Sequence, residues 1–342
     1  MPESPVGLDL DHLEGFLKEH LELAGPLSAR LIAGGRSNLT YGVTDGRRRW
    51  VVRRPPLGHV LASAHDMGRE FRVLSALADS PVPVPRVVVR CVDPEVVGAE
   101  FYVMDHVDGL VIRTAAQLAE IHAGGGGEAV PRVLATTLAT LHAVDPAEVG
   151  LADFGRPEGY AERQVRTWRR QLAASRSREI PGLDALADRL AAAVPVAARS
   201  GIVHGDYRLD NCMLDESLTR VAAVLDWEMA TLGDPLADVG SLCMWWDGLV
   251  GLDSPTAAAP GEHLGVSSDV ALTAYAAAAG WEEAELRSRM RWYLGFSYFK
   301  LAAIAEGIHF RFLRGETVGA GFDRIGAMTA PLVVRGHAAL DA

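Results

Sequence analysis

The sequence predicts an α+β protein in two lobes, a small β-rich amino-terminal lobe and a larger helical carboxy-terminal one. Three observations carry that expectation. The first hundred residues hold short apolar runs of strand character around a helix. Beyond Gly109 the texture changes to long, alanine-rich segments with helical spacing. Between those helices, residues 201–230 return to strands and turns and concentrate polar side chains. The expected lobes are residues 1–105 and 106–342, joined by the segment around 104–109.

Taken in order, a helix is expected over about 8–24, then strands at 28–33, 39–44 and 49–54, the first two separated by a Gly-rich turn. Residues 63–79 have helical spacing, with Phe71, Leu74, Leu77 and Ala78 on one face. After the proline-punctuated PVPVP come strands at 86–91 and 100–106, which completes five strands. The GGGG run at 124–127 reads as a loop between helices. Helices are expected near 131–143, 157–175, 182–198, 235–246, 269–279, 283–314 and 320–337. No internal repeat stands out.

Bulk properties narrow the function classes. A chain of 342 residues, 49% hydrophobic and 23% charged, has ordinary globular composition and length for one large or two medium domains. A net charge of −11 argues against nucleic-acid binding, which needs a basic face to release counterions. It is compatible with a cationic substrate, but acidity is equally a route to solubility. Cys91, Cys212 and Cys243 are widely spaced and form neither a metal-binding pair nor a disulfide framework, which fits a reducing compartment. The start, MPESPVGLDLDH, lacks a basic region followed by an apolar run, and no apolar stretch reaches about 18 residues, so neither a secretory signal nor a membrane span is expected. A cytoplasmic location follows as the expectation. Only two of the 33 basic residues are lysines, Lys18 and Lys300.

The strongest chemical signal is HGDYRLDN at 204–211, followed by LDWE at 225–228. Phosphoryl transfer needs a carboxylate that orients and deprotonates the attacking hydroxyl, and oxygen ligands for magnesium. Asp206 and Asn211 are five positions apart, the spacing of the Asp and Asn in the kinase catalytic loop. Asp226 follows the apolar strand VAAVL, at a strand end that suits a second metal ligand. Asp and Asn also favour turns, and that bland reading covers Asp206 alone better than it covers the set. A third reading makes His204, Asp206 and Asp226 ligands of a transition metal, although no further histidine lies near them in sequence.

The amino-terminal part supplies groups for a nucleotide. IAGGRSNLTYGV at 32–43 sets Gly34, Gly35, Ser37 and Asn38 between two strands, where backbone N–H groups can approach phosphate oxygens. A GG turn is by itself weak evidence. The strand WVVRRPP resembles the kinase V-A-I-K strand, with Arg53 where the lysine would stand and Glu70 on the next helix placed to pair with it. Guanidinium can grip phosphate bidentately. Arg54 should point to the opposite face of the strand. The bland alternative for Glu70 is an exposed helix residue. No G-x-x-x-x-G-K-[ST] and no G-x-G-x-x-G between strand and helix is present.

Together GGRSNLTY, WVVRRPP, REFRVL, FYVMDHVDG, LATLHAVD, HGDYRLDNCML and LDWEMATLGDPLADVG resemble the aminoglycoside phosphotransferase family, which has a protein-kinase-like fold. The stretch VGLADFGRPEGYAERQVRTW at 149–168 is similar to the branch found beside, or fused to, acyl-CoA dehydrogenases. The resemblance runs from about residue 30 to at least 300 and is most specific over 204–240. It implies ATP and Mg²⁺ as cofactors, bound between the lobes, with Asp206 as catalytic base and His204 bracing its loop. Asn211 and Asp226 would be the magnesium ligands, and Arg53 with Glu70 would position phosphates. Met104 would sit behind the adenine, whose edge the backbone of Asp105 and Val107 would bond. Arg53 in place of lysine departs from the wider family and leaves a pseudoenzyme open, against which stand Asp206, Asn211 and Asp226.

Asp234-Pro235, eight positions after Asp226, reads as the start of a helix, leaving no room for a peptide-docking activation segment. The expected acceptor is therefore a small-molecule hydroxyl, and the resemblance implies a hydroxyacyl or acyl-CoA-related one. Candidates for lining its pocket are Trp227, Glu228, Trp245, Trp246 and Asp247, with Trp292, Tyr293, Phe296 and Phe299 on a late helix. Trp292, Phe296 and Phe299 fall at ordinary core spacing, which favours packing. The alternatives are an aminoglycoside O-phosphotransferase and a non-catalytic nucleotide-binding module.

Overall fold

The computed structural model describes residues 4–32, 38–57, 66–252, 258–317 and 321–342. Its contacts divide the chain into two compact units. The first comprises residues 1–108 and 222–230, the second 109–221 and 231–342. The division expected after residue 105 thus falls after Asp108, and nine residues from the middle of the chain return to the first unit. Hydrogen bonds from Val224 N–H to Pro83 O, at 2.8 Å, and from Arg69 to Ala230 O, at 2.9 Å, tie both ends of that returning segment.

In the first unit, α1 (Leu10–Lys18) is capped by Asp9, whose side chain accepts the N–H of Asp11 and His12, and it buries Leu10, Leu13 and Leu17. It is shorter than the expected 8–24: past Lys18 the chain turns, with Leu21 N–H bonded back to Leu17 O. Strands β1 (Ser28–Leu31), β2 (Leu39–Thr44) and β3 (Arg49–Arg54) precede α2 (Met67–Leu77), β4 (Val87–Cys91), the short α3 (Pro94–Val97) and β5 (Phe101–Asp105). They form a five-stranded antiparallel sheet in the order β1-β2-β3-β5-β4. Its register pairs Val51 with Met104, Val52 with Val103 and Arg53 with Tyr102.

Side chains alternate across that sheet with period two. Trp50 and Val52 join Tyr41, Val43, Phe101 and Val103 in a buried cluster with the leucines of α1. On the alternate positions Tyr102 packs edge-on against Phe71 of α2, with ring centroids 6.2 Å apart. Arg53 therefore faces α2. Arg54, one residue on, donates to Gly7 O and Val97 O, both at 2.6 Å.

The second unit is mainly helical. It begins with α4 (Ala115–Ala123), closed at its start by a Thr114/Gln117 capping box, then α5 (Ala129–Ala143), α6 (Tyr160–Ser175) and α7 (Leu183–Ala192). Strands β6 (Gly201–Val203) and β7 (Cys212–Leu214) flank a 3₁₀ turn at Leu209–Asn211. Strand β8 (Val221–Val224) leads out to the returning segment, and β9 (Thr231–Gly233) pairs antiparallel with β6. The unit closes with α8 (Leu236–Asp247), α9 (Pro260–Leu264), α10 (Asp269–Ala279), α11 (Glu283–Leu313), α12 (Phe322–Ile325) and α13 (Thr329–Asp341). The 31-residue α11 runs through its core, burying Trp292, Tyr293, Phe296 and Phe299. Among the described residues no helix is long and apolar enough to cross a membrane. The three cysteines are buried and unpaired.

Candidate active site

The functional side chains of the first unit form a buried charged cluster. Arg53 on β3 is 9% exposed and Glu70 on α2 is 0% exposed. Arg53 Nε lies 3.4 Å from Glu70 Oε2, an ion pair without hydrogen-bond alignment, and its Nη2 donates to Asp226 Oδ1 at 2.9 Å. Burial pushes the Glu70 carboxyl above its ordinary value against the pull of Arg53. Burial would likewise lower the Arg53 pKa, but Glu70, Tyr102 and Asp226 overcome it and hold the guanidinium charged. The backbone of the returning segment joins in: Trp227 N–H donates to Glu70 Oε1 at 3.2 Å.

Asp226 itself has φ of 66°, in the left-handed region that a non-glycine residue rarely adopts, though Asp tolerates it better than most. Such backbone persists where the surroundings over-determine it, and here Arg53 and the Trp227–Glu70 bond do so. Asn38 is buried at 2% exposure and donates Nδ2 to Glu228 Oε2 at 3.1 Å. Gly34, Gly35 and Ser37 lie outside the described residues. Met104 is buried on β5. Asp105 N–H is taken by Arg86 O at 2.8 Å, so its carbonyl is the group left for a ligand's donor. Val107 follows β5 in irregular, half-buried chain.

The second unit holds the loop from His204 to Asn211. Gly205 has φ of 85°, which a side chain would strain. The loop backbone is gripped by side chains on every side. Asp238, buried on the first turn of α8, accepts the N–H of His204 at 2.6 Å and of Gly205 at 2.8 Å. Lys300 on α11 donates to Gly205 O at 2.7 Å. Asp206 N–H donates to His204 Nδ1 at 3.2 Å, which leaves the proton of a neutral ring on Nε2. Asn211 Nδ2 donates to both Asp206 O, at 2.9 Å, and Asp206 Oδ2, at 3.0 Å.

The amide orientation of Asn211 is fixed by chemistry: both neighbours are acceptors, so the nitrogen must face them and Oδ1 points away. The donor sets suit a hard cation. Asn211 offers Oδ1, and Asp226 offers Oδ2 while Oδ1 is held by Arg53. His204 instead uses Nδ1 within its own loop. Among the described residues no group of three His, Cys, Asp or Glu is arranged to hold a metal, as the transition-metal reading would need. Magnesium makes no such demand, taking one or two carboxylates with phosphates and water.

The structure puts most of the aromatic candidates for an acceptor pocket in the core, as the spacing favoured for Trp292, Phe296 and Phe299. Trp227 donates to Val224 O, Trp246 to Val266 O and Trp292 to Leu190 O, all from buried positions. Phe296 stacks on Trp292 with centroids 5.3 Å apart, Phe299 is fully buried, and Tyr293 donates to Asp234. The three tryptophans and Tyr293 can be core because their polar atoms are satisfied inside it, and the two phenylalanines because they have none. Asp247 accepts Ser268 N–H at 2.7 Å, and Glu228 is bonded to Asn38. Trp245 stays half-buried, under the Arg208 guanidinium at 3.9 Å.

Two groups were missed by the sequence reading. Asp238 sits at the third position of α8, where an acidic residue looks like an ordinary partner of the helix dipole. Burial would push its carboxyl up, but the bond to His142, the nearby His204 and the Gly205 N–H outweigh it and hold it below its ordinary value. The other is Lys300 on α11. Its signal was scarcity, as one of two lysines in the chain.

The model of the phosphotransferase enzyme family matches residues 28–293, more than half of the chain. A candidate aminoglycoside phosphotransferase from Ralstonia eutropha JMP134 is 33% identical, with a TM-score of 0.79 over 97% of this chain and 98% of that one. The thermostable aminoglycoside phosphotransferase APH(4)-Ia, in ternary complex with AMP-PNP and hygromycin B, is 17% identical, with a TM-score of 0.62 over 96% and 97% of the two chains, and shares the fold. Acyl-CoA dehydrogenase family member 11 of Gallus gallus is 35% identical over 92% of this chain, which spans only 40% of that relative's length. With this match, the kinase-like fold and the loop geometry in hand, the chain belongs to the phosphotransferase enzyme family.

Proposed function

We propose that this chain transfers the terminal phosphoryl group of ATP, with magnesium, to a hydroxyl of a hydroxyacyl or acyl-CoA-related compound. The observation that carries the reading is the Asp206–Asn211 pair. One amide nitrogen bridges the carbonyl and a carboxylate oxygen of Asp206, which turns Oδ1 of each residue to its own task. Asp206 Oδ1 takes the proton of the attacking hydroxyl, and Asn211 Oδ1 serves as an oxygen ligand. Asp226 Oδ2 is the second such ligand. Arg53, charged and backed by Glu70, binds phosphate oxygens. Gly34, Gly35, Ser37 and Asn38 line the same phosphates, and Met104, Asp105 O and Val107 receive the base. Magnesium, when bound, neutralises charge on the phosphates.

The acceptor class is supported by the name of the Gallus gallus relative, which joins a segment like this one to an acyl-CoA dehydrogenase. An aminoglycoside acceptor is the second reading, favoured by the hygromycin B complex of the structural relative. ADP release with MgATP across hydroxyacyl-CoA compounds, free hydroxy acids and aminoglycosides, less the Asp206→Asn signal, separates them. ADP formed with hydroxyacyl-CoA supports the proposal, and ADP formed only with aminoglycosides overturns it. MgATP binding without ADP from any acceptor favours a non-catalytic module.

A further inference from the structure

Of the 33 basic residues, every one but Lys18 and Lys300 is arginine. Lys18 is exposed and pairs with Glu14 one helical turn back. Lys300 is different in every respect. It stands in the middle of the core helix α11, half-buried, with its ammonium over the Trp168 ring at 5.5 Å from the centroid and bonded to Gly205 O at 2.7 Å. Gly205 is the residue before Asp206, so the carbonyl that Lys300 holds belongs to the peptide that carries the Asp206 N–H.

That peptide and the two before it are fixed at four points. Asp238 holds the N–H groups of His204 and Gly205, Lys300 holds the Gly205 carbonyl, and His204 Nδ1 receives the Asp206 N–H. Asp238 and His204 act on N–H groups. Lys300 supplies a side-chain bond on the carbonyl side. Without it the Gly205–Asp206 peptide can rotate about its flanking bonds, and the glycine, already at positive φ, offers little resistance. The site also explains the residue type. A compact ammonium fits between the Trp168 face and a single carbonyl, whereas the guanidinium used elsewhere in this chain is a wider, planar fork. Burial lowers the Lys300 pKa, and the charges of Asp206 and Asp238 oppose that.

We infer that Lys300 is a positioning residue for the phosphoryl transfer, fixing the direction of the Asp206 carboxylate through the Gly205 carbonyl, with Trp168 holding its ammonium in place. The inference rests on Asp206 being the base. It is distinct from the phosphate-binding role of Arg53, because Lys300 acts on the loop rather than on the nucleotide.

The test is steady-state kinetics of the full chain on two probes, a hydroxyacyl-CoA acceptor and water, the latter read as basal MgATP hydrolysis. Lys300→Met should lower kcat by up to about a hundredfold, the scale of a 1 Å misplacement, with the KM for MgATP unchanged. Lys300→Arg should recover part of the loss, and amide exchange should quicken at residues 204–206 while the rest of the chain keeps its protection. In an Asp206→Asn background, Lys300→Met should add no further loss, since both act through one group. Unchanged kcat in Lys300→Met, or losses that multiply in the double variant, overturns the inference. Should Lys300→Met not fold, Lys300→Gln is read in the same way. Full activity of Asp206→Asn would instead sink the base assignment, whatever Lys300 does.

Discussion

The first unit holds its functional side chains by charge, and the second holds them by hydrogen bonds to backbone. Around Arg53 the contacts are ionic: a misaligned 3.4 Å pair with Glu70 and a single bond to Asp226. Around Asp206 they are short and directional, with Asp238, Lys300 and His204 each bonded to a named backbone atom. Coulombic attraction falls slowly with distance and angle, so an ionic cluster can rearrange when a phosphate or cation arrives. Hydrogen bonds weaken steeply off their axis, so the loop must keep its geometry. Such a division suits a phosphotransferase. Groups that meet a polyanion can afford to move, whereas the base that meets a hydroxyl needs fixed placement.

This contrast can be broken experimentally. The largest effect is expected at Asp206, where Asp206→Asn keeps the loop's hydrogen bonds but removes the proton acceptor. Turnover should fall about 10²–10⁴-fold with MgATP binding retained, read by ADP release and calorimetric titration. Parallel loss of binding would mean that the loop also holds nucleotide.

Next comes Asp238→Ala, which strips a buried carboxylate from His142 and from two N–H groups. It should destabilise the protein by about 3–5 kcal/mol, measured by denaturant unfolding. The pH dependence has a definite sign. Because the Asp238 carboxyl is held below its ordinary value, its stabilisation is present above the unfolded pKa of 3.8 and fades as pH falls through the lower folded value. The gap between wild type and Asp238→Ala should therefore narrow on acidification. A gap constant with pH would show the carboxyl's charge to be immaterial.

Arg53→Met sharpens the other side. As the partner of a candidate metal ligand, Arg53 should matter by about 10–100-fold in magnesium-dependent nucleotide affinity, with smaller effects on loop geometry. If Arg53→Met left affinity intact, the ionic cluster would be a structural feature of the first unit alone.

Much of this was legible beforehand. The five strands and the opposite facing of Arg53 and Arg54 follow from spacing and period-two alternation, and the structure places Arg53 toward Glu70 and Arg54 toward backbone carbonyls. Helix ends were less legible: α1 stops at Lys18, and α8 starts at Leu236 with Asp234 accepting its N–H at 3.0 Å, because capping depends on local turns that periodicity does not encode. Spacing pointed to core for Trp292, Phe296 and Phe299, but not for Trp227 and Trp246, because a tryptophan in core and one in a binding site look alike until its N–H partner is known.

By itself the sequence determined the chemistry-bearing loop, because Asp206 and Asn211 lie within eight residues of chain, where spacing dictates mutual reach. It likewise determined the β-rich and helical parts, since hydrophobic period is a local property. Long-range contacts alone bring residues 222–230 to the first unit, clamp the loop with Asp238 from α8 and Lys300 from α11, and put Trp227, Trp246 and Trp292 in the core. The bonds that return the segment and clamp the loop join residues from 33 to 190 positions apart, as in the Gly205–Asp238 and Asn38–Glu228 bonds, and no pattern along a chain reports which distant polar groups will meet once apolar surface is buried.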